Sequence, residues 1–214
     1  MLPQMKPSVA GSTGQQLRIL KKPGLWLNIG STGMIFAGMF AVYTYVAEYL
    51  ETVGQLPSNQ VSLLLLIFGL GGVAGNMAAG NLLRRSKLGT VFFHPLLIGA
   101  GLLALLMFRM DFTVMIPIMI IWGAAHTSSL VITQIWLTQE APEAPEFATS
   151  LFASTANLGV AVGSAVGGVF INALGFDGMF GAGWLFLAVA VLCIVTRISL
   201  LRGQSNAAAA TAAE

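Results

Sequence analysis

The chain has 214 residues, of which 56% are hydrophobic and only 8% charged, and its net charge is +2. So few charges cannot cover the surface of a soluble fold, where about a quarter of residues are charged. The basic residues are scattered rather than gathered in a patch, which argues against nucleic acid as a partner, and the lone cysteine, Cys193, excludes an internal disulfide or a cysteine-based metal site.

Residues 1–24 read as a solvated cytoplasmic lead-in: Pro, Gly, Ser, Gln and scattered Lys and Arg precede Leu25, without the apolar core of a secretion signal. Six apolar stretches follow, at 25–47, 61–83, 90–108, 112–137, 147–173 and 180–201. Each has about the 20 residues a helix needs to cross a hydrocarbon core. Lipid offers no partner to a backbone N–H or C=O, so each stretch is predicted to be a helix. Five carry no Asp, Glu, Lys or Arg; the sixth carries only Arg197, in its last turns, where a long side chain snorkels to the headgroups. One charge at mid-helix costs about 2.5–3.5 kcal/mol on the insertion scale, so excluding charge from five long runs defines the spans. The fold class expected is an all-α six-helix transmembrane bundle over residues 25–201, followed by a disordered cytoplasmic tail at 202–214.

Lys and Arg counted loop by loop orient the bundle. Lys6, Arg18, Lys21, Lys22, Arg84, Arg85, Lys87, Arg197 and Arg202 fall on one side and Arg109 alone on the other. Both termini are therefore expected in the cytoplasm, as an even number of spans requires. The loop at 138–146 contributes three Glu and no base, and acidic residues weigh little in this rule.

Helices in lipid associate through close backbone approach at small residues. Three such seams are present: Gly33, Ala37 and Ala41 in the first span; Gly71, Gly75 and Ala79 in the second, flanked by Gly72, Asn76 and Gly80; and Gly159, Gly163 and Gly167 in the fifth. They predict a tightly packed bundle, either static or with faces able to slide. Among polar residues, His126 is the most central ionisable group, with Trp122, Ser129 and Thr133 near its face of the fourth span. An ionisable residue at this depth marks either a cavity or a hydrogen bond to a neighbouring helix, and such bonds average only about 0.6 kcal/mol. Asn157 in the fifth span, and Asn28, Thr32, Phe36 and Tyr43 on one face of the first, are further pathway candidates. Walls of Asn, Thr, His, Tyr and Trp suit a small, partly aromatic or polyhydroxylated solute. Tyr43, Tyr45 and Trp26 also fit interfacial belts, and His94, just before Pro95, reads as interfacial.

No catalytic constellation emerges. Gly30–Ser31–Thr32–Gly33 resembles a serine nucleophile turn without a matched base. Two histidines without an intramembrane carboxylate make no metal site. A phosphate-cradling loop is absent from the sequence, so no cofactor is expected and the chain does not itself use ATP.

The segment GLGGVAGNMAAGNLLRRSKLG, residues 69–89, runs a glycine-rich helix end into a short basic loop and resembles the loop signature of the major facilitator superfamily. The segment APEAPEFATSLFASTANLGVAVGSAVGGVFIN, residues 141–172, is similar to the eleventh helix of that family's drug/proton antiporter branch, among the sugar-, purine- and drug-efflux permeases. LRILKKPGLWL, residues 17–27, resembles the end of their central loop. The resemblance implies the C-terminal six-helix half of a twelve-span efflux transporter in the bacterial inner membrane. On it, His126, Ser129, Thr133, Asn157, Asn28, Tyr43 and Trp122 would line the solute pathway, while Gly71, Gly75, Gly80, Arg84, Arg85, Gly159, Gly163 and Gly167 would pack or gate it. Two positions depart from the pattern. The family's loop commonly carries an Asp where this chain has Arg84, and no Asp or Glu lies within a span, Glu48 being the nearest. The expectation is a truncated or split-gene half that transports with a second six-helix half or with another copy of itself. The alternative is a non-transporting membrane scaffold that assembles through the Gly159–Gly167 seam.

Overall fold

A computed structural model describes residues 19–211. The predicted lead-in up to residue 18 and the last three residues of the predicted tail lie outside the described residues. The helices are α1 (Pro23–Tyr43), α2 (Val46–Thr52), α3 (Ser58–Arg85), α4 (Lys87–Phe108), α5 (Phe112–Thr138), α6 (Pro145–Leu174) and α7 (Gly178–Thr211). With α1 and α2 taken together, six of these segments are long and apolar enough to cross a membrane.

Most boundaries fall within a few residues of those predicted, and each has a local cause. The short connection before the fourth span ends at Asp111, whose carboxylate accepts from the backbone N–H groups of Thr113 and Val114 at 3.0 and 3.1 Å, capping α5. Helices α3 and α4 are joined by Ser86 alone, in extended conformation. Gly175, at φ 79°, ends α6 in a conformation that favours glycine. Two predictions need correction. The first span is not one helix: Tyr45 has φ −113° and ψ 0°, and the Thr44 hydroxyl bonds back to the Phe40 carbonyl at 2.8 Å. Such back-bonding bends helices, and the break is anchored to α6 by Tyr45 Oη donating to the Ser164 carbonyl at 2.8 Å. At the other end, α7 continues to Thr211 through residues read as a disordered tail. Ala-rich sequence added to a helix already formed needs no new nucleus.

The most extensive contacts join α3 to α5, α1 to α6 and α1 to α7. The small-residue seams of the first and fifth spans face each other. A Cβ at Gly159, Gly163 or Gly167 would strike the backbone of Gly33, Ala37 or Ala41 in turn. Gly71 and Gly75 likewise lie against the backbone of Ile120 and Ala124 in α5. The Gly159–Gly167 seam is thus filled by α1 of the same chain, and it is not open to a partner. Gly80, expected to pack, has nothing within 4 Å of its Cβ position.

Gly163→Leu should destabilise the bundle by about 3 kcal/mol or prevent folding, because backbone on both sides cannot give way. Gly80→Ala should raise stability by about 0.5–1 kcal/mol, the ordinary gain in a helix. Thermal unfolding of the purified chain in detergent micelles distinguishes the two.

Candidate functional site: an aromatic cavity and two charged ends

With its small-residue seam against α6, α1 turns Phe36, Met39, Phe40 and Tyr43 toward α5. There they line a cavity of about 480 Å³, together with Phe68 of α3, His126, Thr127 and Leu130 of α5, and Phe152 and Asn157 of α6. The imidazole of His126 sits among rings, with centroids at 4.9 Å for Tyr43, 5.3 Å for Phe68, 5.4 Å for Phe40 and 5.8 Å for Trp122. Tyr43 and Phe68 are stacked at 5.2 Å with 27° between planes. The ring nitrogen Nδ1 of His126 is buried without a hydrogen-bond partner among the described residues. One side of the cavity is open, where Leu130, Ala153 and Asn157 are exposed. The Asn157 amide donates to the Ala153 carbonyl of its own helix at 2.9 Å, which leaves its oxygen as the acceptor it offers outward.

Of the seven predicted pathway residues, three line this cavity: His126, Tyr43 and Asn157. Trp122 is fully buried behind them, 4.8 Å from Phe68 by ring centroid. The remaining three, Ser129, Thr133 and Asn28, are absent from the cavity lining and lie buried in the bundle. Asn28 donates to the Trp136 carbonyl at 3.3 Å, Thr133 donates to the Ser129 carbonyl, and Ser129 Oγ lies 2.8 Å from His94 Nε2. The Asn28 bond joins α1 to α5, the Ser129–His94 contact joins α5 to α4, and the Thr133 bond stays within α5. His94 is therefore buried and is not interfacial; Ser129 gives its ring a partner inside the bundle. Phe40, Phe68 and Phe152 were missed as site residues. The spacing of Phe40, four after Phe36 and three before Tyr43, was the available signal.

The ends of the bundle are tied by charge. At the basic end, Arg197 pairs with Glu140 at 2.6 Å and Lys22 with Glu143 at 2.6 Å, while Lys22 Nζ also donates to the Glu140 carbonyl at 3.0 Å. Arg197 is only 6% exposed, so it does not snorkel to headgroups as predicted; Gly24 leaves room for its guanidinium, and Glu140 neutralises it. At the opposite end, Arg109 contacts Asp177 at 3.0 Å and the Tyr49 hydroxyl at 3.1 Å. Arg84 and Arg85 are exposed, with Arg84 bonded to Asn81 of its own helix. Glu48 is exposed on α2, away from the cavity lining.

The sequence model of the major facilitator superfamily matches residues 25–213. The chain belongs to this superfamily. As a major facilitator protein with six spans, it is a multi-pass membrane protein. It is similar, at 30% identity over 89% of its length, to 46% of a Pseudomonas aeruginosa protein named transcription regulatory protein OpdE. Proteins named probable sugar efflux transporter match at 27% identity in Helicobacter pylori strain P12, over 92% of this chain and 51% of the relative. A Haemophilus influenzae protein of the same name matches at 27% identity over 83% and 45%. The chain thus spans about half the length of the curated relatives it matches.

Glu140→Gln should lower stability by about 3 kcal/mol or more by leaving Arg197 buried and unpaired. Glu143→Gln, in a pair whose side chains are 40% exposed on both sides, should cost about 1 kcal/mol at most. Urea unfolding in micelles reads both.

Proposed function

We propose that the chain forms one wall of the solute pathway of a secondary-active efflux transporter. The observation that supports this best is the half-open cavity at His126, a lining rich in rings with a few polar groups set among them. Both α6 and α3 carry a stripe of polar and small exposed residues beside it: Ser150, Ser154, Asn157, Ala161 and Ala165 on α6, and Ser62, Gly69, Asn76 and Gly80 on α3. Next to these run fully apolar exposed stripes, Leu158, Val162 and Val169 on α6 and Leu66, Leu70, Val73 and Met77 on α3. Hydrocarbon explains the apolar stripes and not the polar ones, which fit water or another protein surface. The partner we infer is a second six-helix half, or a second copy of this chain, closing the open side and rocking against it for alternating access. The chain is then a carrier and not an enzyme, set in a bacterial inner membrane with its basic end and both termini in the cytoplasm.

The solute is small. Phe36, Phe40, Tyr43, Phe68 and Phe152 offer it ring faces, and His126, Thr127, the Asn157 oxygen and the Tyr43 hydroxyl are the polar groups for orienting it. The names of the sugar efflux relatives are compatible with such walls, since sugars pack on aromatic faces, as are drugs and nucleobases.

The test is flux in proteoliposomes holding the chain with any six-helix segment encoded beside it, under an imposed proton gradient, against a panel of sugars, nucleosides and planar dyes. His126→Ala should reduce flux of the transported solute about tenfold or more, the loss of one well-placed polar contact and its ring packing. Thermal stability should stay within a few degrees of the parent. Equal flux in parent and variant, or none for any solute, defeats the proposal. Orientation is tested separately: a cysteine at Ser86 should react only with reagent on the cytoplasmic side.

A further inference from the structure

A groove between α4 and α7, remote from the aromatic cavity, has no part in the solute pathway. It has two segments, end to end along the antiparallel pair. One, of about 450 Å³, is lined at the basic end by Phe92, Phe93, Val195, Ile198, Ser199 and Arg202. The other, of about 670 Å³, continues toward the opposite end between Leu96, Leu103, Leu187 and Leu192, with Gly99 and Ala188 keeping it open. From Leu88 to Leu103 helix α4 rises about 22 Å, more than the ~15 Å depth of one leaflet's hydrocarbon.

The chemistry of this groove is strongly graded. Along its length the one polar side chain besides those at the basic mouth is Trp184, whose ring N–H is already satisfied by the Gly99 carbonyl at 3.1 Å. At the basic mouth stand the Ser199 hydroxyl and the exposed Arg202 guanidinium. Arg197 and Lys22 are taken up by Glu140 and Glu143, whereas Arg202 has no acidic partner among the described residues. The first turn of α4 adds Leu88 and Gly89 to the same rim, with the partial positive charge of a helix N-terminus. A hydrocarbon slot longer than one leaflet is deep, ending in a guanidinium at its basic mouth, is complementary to a lipid that is apolar below and anionic above.

We infer that the groove between α4 and α7 holds one acyl chain of an anionic phospholipid whose phosphate is bound by Arg202. Phosphatidylglycerol therefore occupies it in preference to a zwitterionic lipid of the same chains. A free phosphate ion would leave the apolar length unfilled.

Native mass spectrometry of the full chain, released from micelles holding equal dioleoyl phosphatidylglycerol and dioleoyl phosphatidylcholine, tests this. The parent should retain the anionic lipid about fivefold more than the zwitterionic one, as expected for one basic residue at the membrane surface. Arg202→Gln should bring that ratio to about one, while Arg85→Gln, exposed at the same end and off the groove, leaves it unchanged. Leu192→Trp, at an exposed position in the groove, should reduce retention of both lipids without touching the core. Equal retention by the parent, or an equal effect of the two arginine substitutions, overturns the site, the latter by showing general surface attraction. Displacement of the lipid by millimolar inorganic phosphate also overturns it, in favour of a simple anion site.

Discussion

The arrangement rests on the close approach of α1 and α6, made backbone to backbone along Gly33, Ala37 and Ala41 on one side and Gly159, Gly163 and Gly167 on the other. In lipid, two apolar helices gain nothing by hiding from solvent, so dispersion between closely matched surfaces must hold them. Small residues supply that match, and they also set direction. With its small face taken by α6 and another face by α7, α1 has one side left for Phe36, Phe40 and Tyr43. That side faces α5 and meets His126. The second glycine seam, between α3 and α5, does the same for Phe68. The ring cluster is therefore a consequence of where small residues sit on two pairs of helices.

The two ends are secured differently. Arg197 and Glu140 are nearly withdrawn from water, so either alone is a liability and the pair acts as a lock between α7 and the end of α5. Lys22 and Glu143 lie in the open and add little energy, yet they bring the segment before α1 to the same loop. Arg109 and Asp177 at the opposite end are accessible and screened. The bundle is thus firmest where most of its basic residues are.

Spans and seams were legible in the sequence because both depend on composition at fixed spacing. Charge exclusion located six segments, and runs of glycine and alanine at four-residue intervals named the surfaces that now touch. The site was legible only in part. His126, Tyr43 and Asn157 were identifiable as polar or amphipathic groups at membrane depth, but Ser129, Thr133 and Asn28 share that description: Ser129 and Asn28 join helices, and Thr133 bonds back to its own. Which polar group meets a cavity and which meets a carbonyl depends on rotation about the helix axis, set by partners elsewhere in the chain. Arg197 was misplaced for a related reason: nothing local reveals that Glu140, 57 residues earlier, will reach it. The break at Thr44 was hidden because it is held by Ser164, 120 residues away.

Ser86 has one further implication. A joint of a single extended residue offers two backbone torsions and almost no slack, so α3 and α4 cannot shift along their axes independently. One borders the ring-lined chamber through Phe68; the other forms a bank of the groove shared with α7. Under the two proposals made above, solute on one flank and lipid on the other would press on the same rigid elbow, and bilayer composition would act as a mechanical load on the wall of the ring-lined chamber.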